Sequence, residues 1–318
     1  MKNHFSKTRS STVADCLQRG LYVIVISMAF FLPGLAGAEE LGNVCTKTSA
    51  GVLKSCRSSA EADYLLAKAR CDNSPADSGC LQQALANKNE TLRDCKDQFD
   101  VRKDACGPLG PAAYDPEIDP ANFTTKIDNP LFPLKPGTTF IYEGQTSQGL
   151  EHDEFIVTHK TRVIMGVTCV EVRDRVRLDG KLAEDTLDWF AQDLDGNVWY
   201  FGENTHELEN GLITTIDGSF VAGVEGAKPG IVMEAHPRVS DFYRQEFDLG
   251  NAEDFAKVTG LNASVTVPFG SFTNCLKTRE TTPLEPDLLE DKLYCPGIGN
   301  VETIDRVTGE TVSLLAIQ

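Results

Sequence analysis

The chain has 318 residues, 41% of them hydrophobic, and carries 47 acidic against 30 basic groups, a formal net charge of −17. That length and apolar content allow one substantial core plus a small module. A surface so acidic repels nucleic acid and anionic lipid, which excludes both as partners, and suits solubility or a cationic ligand.

Lys2, Lys7, Arg9 and Arg19 precede an almost uncharged apolar run from Leu21 to Leu35, and Ala36-Gly37-Ala38 offers a small-residue cleavage site before Glu39-Glu40. These three parts predict a signal peptide over residues 1–38. A membrane anchor is the competing reading, but about 15 apolar residues interrupted by Pro33 and Gly34 are short for a span. No Cys stands at the cleavage site to take a lipid. Cleavage removes the four basic groups and Asp15, leaving 26 basic against 46 acidic groups, a net charge of −20 on 280 residues with no membrane span. The expected location is the periplasm or the medium.

Residues 39–106 contain Cys45, Cys56, Cys71, Cys80, Cys95 and Cys106, separated by 11, 15, 9, 15 and 11 residues, a spacing that reads the same from either end. At about 100° per residue, 11 and 15 steps return close to the starting direction, so three Cys share one face of each of two helices. Antiparallel helices around a turn from Asp72 to Gly79 juxtapose mirror-related positions. The predicted pairing is therefore nested: Cys45 with Cys106, Cys56 with Cys95, Cys71 with Cys80. The module resembles the disulfide-locked helical hairpins of twin Cys-x9-Cys proteins, although its spacings of ten and fourteen intervening residues differ from theirs. A metal site is the competing reading, and the segment offers it neither a Cys-x2-Cys pair nor a His. Staples of this kind compensate for the small core of a short segment.

Pro108, Pro111, Pro116 and Pro120 mark residues 107–120 as a semi-rigid linker. From residue 121 to 318 the dominant pattern is alternation between turns, which predicts an antiparallel β domain, a curved sheet or an open barrel. The fold class is thus α+β, mainly β. Asp179-Gly180 and Asp195-Gly196 read as two-residue hairpin turns, so opposed residues sum to 359 and 391 respectively. This register sets Val170, Val172, Val176, Leu187, Trp189, Ala191, Val198 and Tyr200 on a core face. Glu171, Asp188 and Glu203 then form a row of carboxylates on the other face, best explained by open water.

The predicted core face has one exception. Asp174 lies opposite Asp185, Asp185 opposite His206, and a preceding strand over residues 155–163 brings His159 alongside. Buried carboxylates need partners. These four residues are a structural hydrogen-bond network, a divalent-metal site or a general acid/base site. The Asp193-x-Asp195-Gly196 segment invites a calcium reading, but Ala191 and Gly202 stand where the loop needs ligand oxygens, so it reads as a turn. Cys275 and Cys295 fall opposite each other in later strands and suit a disulfide. Cys169 reads as a buried free thiol, and residues 251–260 as a short helix ending at Gly260.

The strings Asp119-Pro-Ala-Asn-Phe123, Asp128-Asn-Pro-Leu-Phe-Pro-Leu-Lys-Pro-Gly137, Glu184-Asp-Thr-Leu-Asp-Trp-Phe-Ala-Gln-Asp193 and Gly196-Asn-Val-Trp-Tyr-Phe-Gly-Glu203 resemble those of an uncharacterised family of secreted, β-rich bacterial proteins. Gly226-Ala-Lys-Pro-Gly-Ile-Val-Met233 and Val267-Pro-Phe-Gly-Ser-Phe272 are similar to it too. The resemblance covers about residues 114–318 and implies an exported β domain without implying an activity. No Gly-x-Ser-x-Gly, phosphate loop, His-Glu-x-x-His or dinucleotide fingerprint is present. The sequence therefore reads as an exported binding or scaffold protein without a cofactor, whose partner is a small molecule, a cation or a protein. The alternative is a metal-binding protein or metal-dependent enzyme using His159, Asp174, Asp185 and His206.

Overall fold

Two helices open the part of the chain that the computed structural model describes, residues 43–74 and 78–318; the expected signal peptide lies outside it. Helix α1 (Val44–Asp72) starts where the Asn43 side chain accepts from the Thr46 N–H at 3.0 Å, and α2 (Cys80–Leu109) ends at Gly110, whose φ of 83° suits a residue without a Cβ. Buried positions on the pair are little more than Cys45, Ser49, Ala60 and Cys71 on α1 and Ala84, Cys95, Arg102, Ala105 and Cys106 on α2. So thin a seam cannot hold two long helices alone. Cys45–Cys106, Cys56–Cys95 and Cys71–Cys80 staple it in nested order, with Cα–Cα distances of 5.7, 5.8 and 5.5 Å. Helix α2 runs three residues past Cys106, through Pro108.

The remaining chain forms strands β1 (Phe123–Thr124), β2 (Thr139–Thr146), β3 (Gly149–Ile164), β4 (Val167–Leu178), β5 (Lys181–Asp193), β6 (Val198–Glu209), β7 (Leu212–Thr215), β8 (Phe220–Val221), β9 (Lys228–Met233), β10 (Phe242–Arg244), β11 (Glu246–Phe247), β12 (Phe255–Val267), β13 (Gly270–Thr281), β14 (Glu290–Cys295), β15 (Gly299–Asp305) and β16 (Thr311–Ile317). All pairings between them are antiparallel, and the main path runs β10-β12-β13-β14-β15-β16-β2-β3-β4-β5-β6-β9-β11. Strands β10 and β11 are one stretch interrupted only at Gln245, so the same segment pairs with β12 on one side and β9 on the other. This brings the ends of the sheet together into a nearly closed barrel. Gly230 on β9 makes the approach sterically feasible, because a Cβ there would lie 2.3 Å from the Gln245 carbonyl group. The Cys275–Cys295 disulfide joins β13 to β14.

One end of the barrel is closed from inside by residues 127–134. Asn129 is buried; its Nδ2 donates to the carbonyls of Gly196 (2.9 Å) and Glu234 (3.2 Å), while its Oδ1 accepts from the Leu131 N–H (2.8 Å). This turn drives Phe132 against Phe190 and Tyr294, with ring centroids 5.6 and 6.4 Å away. Outside the barrel, Ile118 and Phe123 pack on a cluster of Ile164, Val167, Cys169, Trp189, Ala191, Phe201 and Ala222. Part of the expected linker therefore lies on the sheet.

Two expectations of register fail because of extra residues. Asp179 and Gly180 have φ of 48° and 78°, the two-residue turn expected, and Leu178 pairs with Lys181. A bulge at Ala183 then slips the ladder by one, so Val176 faces Glu184 and Asp174 faces Thr186. One residue of slip exchanges the two faces of β5. The second turn is a three-residue loop, Leu194 to Gly196, closed by the Asp193 N–H donating to the Asn197 carbonyl at 2.9 Å. Its slip is undone by a bulge at Phe201, so Asp185 does face His206.

Residues 251–260 also depart from expectation. No helix forms there; Phe255 begins β12, with Phe255, Ala256 and Val258 buried against neighbouring strands. Pairing with β13 outweighs local helical preference, and Gly260 sits at a register irregularity where it was expected to stop a helix.

Candidate functional site

The four residues read from the sequence as one polar cluster do not meet. Asp174 is on the inner face of β4 and buried. Asp185 is on the outer face of β5, where the Arg173 Nε and Nη2 donate to its two oxygens at 2.7 and 2.5 Å. His206 is beside Asp185 on that outer face, on the far side of the sheet from Asp174. His159 is exposed, in the stretch between Val157 and Thr161 where the β3–β4 register breaks. The bulge at Ala183 parts Asp185 and His206 from Asp174, and the β3–β4 register, which sets Phe155 opposite Asp174, keeps His159 away. Among the described residues no group of three or more His, Cys, Asp and Glu side chains is arranged to hold a metal ion.

The bulge that dissolves this cluster creates another. On the inner face β5 presents Gln192, Phe190, Asp188, Thr186 and Glu184, while β6 presents Tyr200, Glu203 and Thr205. Asp188 and Glu203, expected to face water, are buried in the barrel, and Glu171 is turned to the other side of the sheet, 3.8 Å from Lys160. The Tyr200 hydroxyl donates to Asp188 Oδ1 at 2.5 Å and lies 2.8 Å from Glu203 Oε2. Its ring stacks on Phe190 at 4.8 Å, and Phe220 meets it edge-on at 5.6 Å. Aromatic rings thus form a floor beneath the carboxylates.

Above that floor, Asp174 and Asp153 add two more buried acids, with Tyr142 on the neighbouring strand. Burial pushes the Asp188 carboxyl up to about 8, helped by the charges of Glu203 and Asp174 and opposed by the Tyr200 hydrogen bond. Burial, then Asp174, raises Asp153 well above the usual carboxylate range. Burial and the same acids hold Tyr200 and Tyr142 as neutral phenols. Asp153 Oδ1, Asp174 Oδ1 and Thr205 Oγ1 are buried without a hydrogen-bond partner among the described residues.

The opposite wall is different because its acids are matched. Lys292 is buried and its Nζ lies 2.9 Å from Glu280 and 3.5 Å from Glu290. Glu280 Oε1 also accepts from Thr278 (2.9 Å) and Tyr294 (3.1 Å). Lys292 is the one buried lysine among the described residues, and Arg102, the one buried arginine, is engaged by Glu253.

The Asp193-Leu-Asp-Gly-Asn197 turn is structural. Asp193 accepts from the Asn197 N–H, the Asn197 Nδ2 and the Trp199 Nε1, each at 2.8 Å, which uses its carboxylate entirely within the hairpin. Cys169 is buried, and burial pushes its thiol up to about 12.

Neither a family model nor a curated protein matches the chain. Among solved structures, a candidate lipoprotein from Parabacteroides distasonis ATCC 8503 aligns at 16% identity over 59% of this chain and 98% of its own, with a TM-score of 0.33. That likeness is too weak to bear on function.

Proposed function

We propose that this is an exported, non-catalytic binding protein whose barrel interior takes a small positively charged ligand. The observation that carries the reading is the β3–β5 wall: three buried acids, Asp153, Asp174 and Asp188, of which Asp153 Oδ1 and Asp174 Oδ1 have no hydrogen-bond partner among the described residues. Keeping so much acid in a low-dielectric interior is costly unless a cation or shared protons offset it. A wall of about twelve strands is wider than the roughly eight whose interior side chains alone fill, which supports a ligand-binding reading over a purely packed one. The disulfides suit an oxidising compartment, and the amino-terminal signal would deliver the chain to the periplasm or beyond.

Thermal unfolding of the mature chain against a panel of small organic cations, anions and neutral sugars, at matched ionic strength, tests this. A saturable rise in Tm with cations alone is expected. No shift with any cation, or shifts with neutral members only, would overturn it.

A further inference from the structure

The outer face of strands β12–β15 gathers positive charge around one carboxylate. Asp291 on β14 is fully buried, and three basic side chains reach it from different directions. Arg279 Nε donates to its Oδ1 at 3.0 Å and Nη2 to its Oδ2 at 3.4 Å, while Lys277 Nζ and Arg306 Nε lie 2.8 and 3.3 Å from the same Oδ2. Lys257, directly opposite Arg279 on β12, is exposed and makes no ion pair among the described residues. Glu302, opposite Leu293 on β15, is the other acid of this face, and it accepts from the Ser313 hydroxyl at 3.4 Å. Elsewhere on the barrel surface bases and acids match singly, as Arg173 does with Asp185 and Arg175 with Glu154. Here the bases Lys257, Lys277, Arg279 and Arg306 outnumber the acids Asp291 and Glu302, in a chain whose net charge is −17.

We propose that Lys257, Lys277, Arg279 and Arg306 form a binding site for a doubly charged tetrahedral oxyanion, a phosphate or sulfate group. The donors are open to solvent, since Lys277, Arg279 and Arg306 are 32%, 41% and 48% exposed. They are also held in place, because the buried carboxylate beneath them fixes where each charge sits. Arg306 meets Asp291 through Nε and keeps both Nη groups, Arg279 keeps Nη1, and the Lys277 ammonium has further N–H groups to give. Guanidinium forks beside an ammonium are the donors that recognise such an oxyanion. Like charges crowded around one oxygen repel, and a dianion among them offsets the surplus. Salt screens the acidic remainder of the surface beyond about 8 Å, so a small ion meets mainly the patch. An extended polyanion or an anionic bilayer meets the acidic remainder as well and is turned away.

The experiment is calorimetric titration of the mature, disulfide-intact chain with sodium phosphate, sodium sulfate and sodium acetate at constant ionic strength and pH 8, where phosphate is doubly charged. Flotation with phosphatidylcholine vesicles, with and without phosphatidic acid, accompanies it. Phosphate and sulfate should bind saturably and about five-fold or more tighter than acetate, and neither vesicle should carry the protein. Lys277→Gln and Arg306→Gln should each weaken both dianions about three-fold or more, and the double variant about ten-fold or more. Lys257→Gln should weaken them too. Arg173→Gln, on β4, should leave them unchanged, and unfolding curves of each variant confirm that it folds. Acetate binding as tightly as the dianions, or phosphate binding undiminished in the double variant, would overturn the site. Capture by phosphatidic acid vesicles of a chain that ignores free phosphate would overturn it as well. Absence of dianion binding, with the double variant only less stable, would leave the three bases as counter-charges of Asp291 and nothing more. The interior cation reading stands or falls separately, because none of these probes is a ligand for it.

Discussion

Arg102 on α2 grips Glu253, in the turn between β11 and β12, with Nε 3.0 and 3.1 Å from the two carboxylate oxygens and Nη2 2.6 Å from one of them. Both side chains are almost wholly buried, at 4% and 1% exposed. The Gly250 N–H also donates to Glu253 at 2.8 Å. The disulfide hairpin is thereby fixed to the barrel by an ion pair sealed from water.

Breaking one side of a buried pair leaves the other charge uncompensated, which typically costs about 3 to 5 kcal/mol. Arg102→Ala should lower the unfolding free energy by that order, and Arg102→Met combined with Glu253→Gln should cost much less. A barrel expressed from about residue 114 is expected to fold, because its core is its own, but it inherits an unpaired Glu253. Glu253→Gln should therefore stabilise the truncated barrel while destabilising the full chain. Denaturant titrations of the four proteins check this; the same sign in both backgrounds would refute the docking role.

Cys169 yields a simpler expectation. It is fully buried among Val167, Trp189 and Phe201, and a thiol pushed up to about 12 leaves very little of the nucleophilic thiolate near pH 8. A thiol reagent should label the native mature chain, which lacks Cys16, at a negligible rate and label its one site promptly in denaturant without reductant. Rapid native labelling would mean that the outer-face packing opens far more often than its burial implies.

The sequence made the hairpin legible because a palindromic Cys spacing admits one pairing that zips two helices. It made the Asp179-Gly180 turn legible because both residues tolerate positive φ. It did not reveal the site, for a specific reason: one bulge residue, Ala183, exchanges the faces of β5, and no local feature of Leu182-Ala-Glu184 announces it. The register expected without that bulge consequently sets Asp188 and Glu203 in a solvated row and Asp185 on the core face. A usable signal was nonetheless present. Strand β5 carries Leu187, Trp189 and Ala191 on one face and Phe190 on the other, so large apolar residues occur on both faces and both had to be covered.

The buried acids make stability depend on pH in a direction opposite to that of ordinary surface carboxylates. Unfolded, Asp188 titrates near about 3.9; folded, it is pushed up to about 8 by burial, Glu203 and Asp174, while Tyr200 donates to it. Between those values the folded chain holds a proton that the unfolded chain has lost, so raising the pH favours unfolding, with about 1.4 kcal/mol per pH unit for each such proton. Asp153, also raised, adds to the same slope. Asp291, lowered through its hydrogen bonds to Arg279 and Lys277, works the other way, but its contribution is complete above about pH 4 and is flat across this window. The unfolding free energy should therefore fall from pH 5 to pH 8. Asp188→Asn keeps the volume and removes the titration, so its curve should be shallower by about one proton and should lie above the unmodified protein at pH 8. Denaturant unfolding at pH 5, 6.5 and 8 measures both. Identical slopes for the two proteins would show that Asp188 is ionised throughout, and the proton-sharing account of the interior wall would be lost.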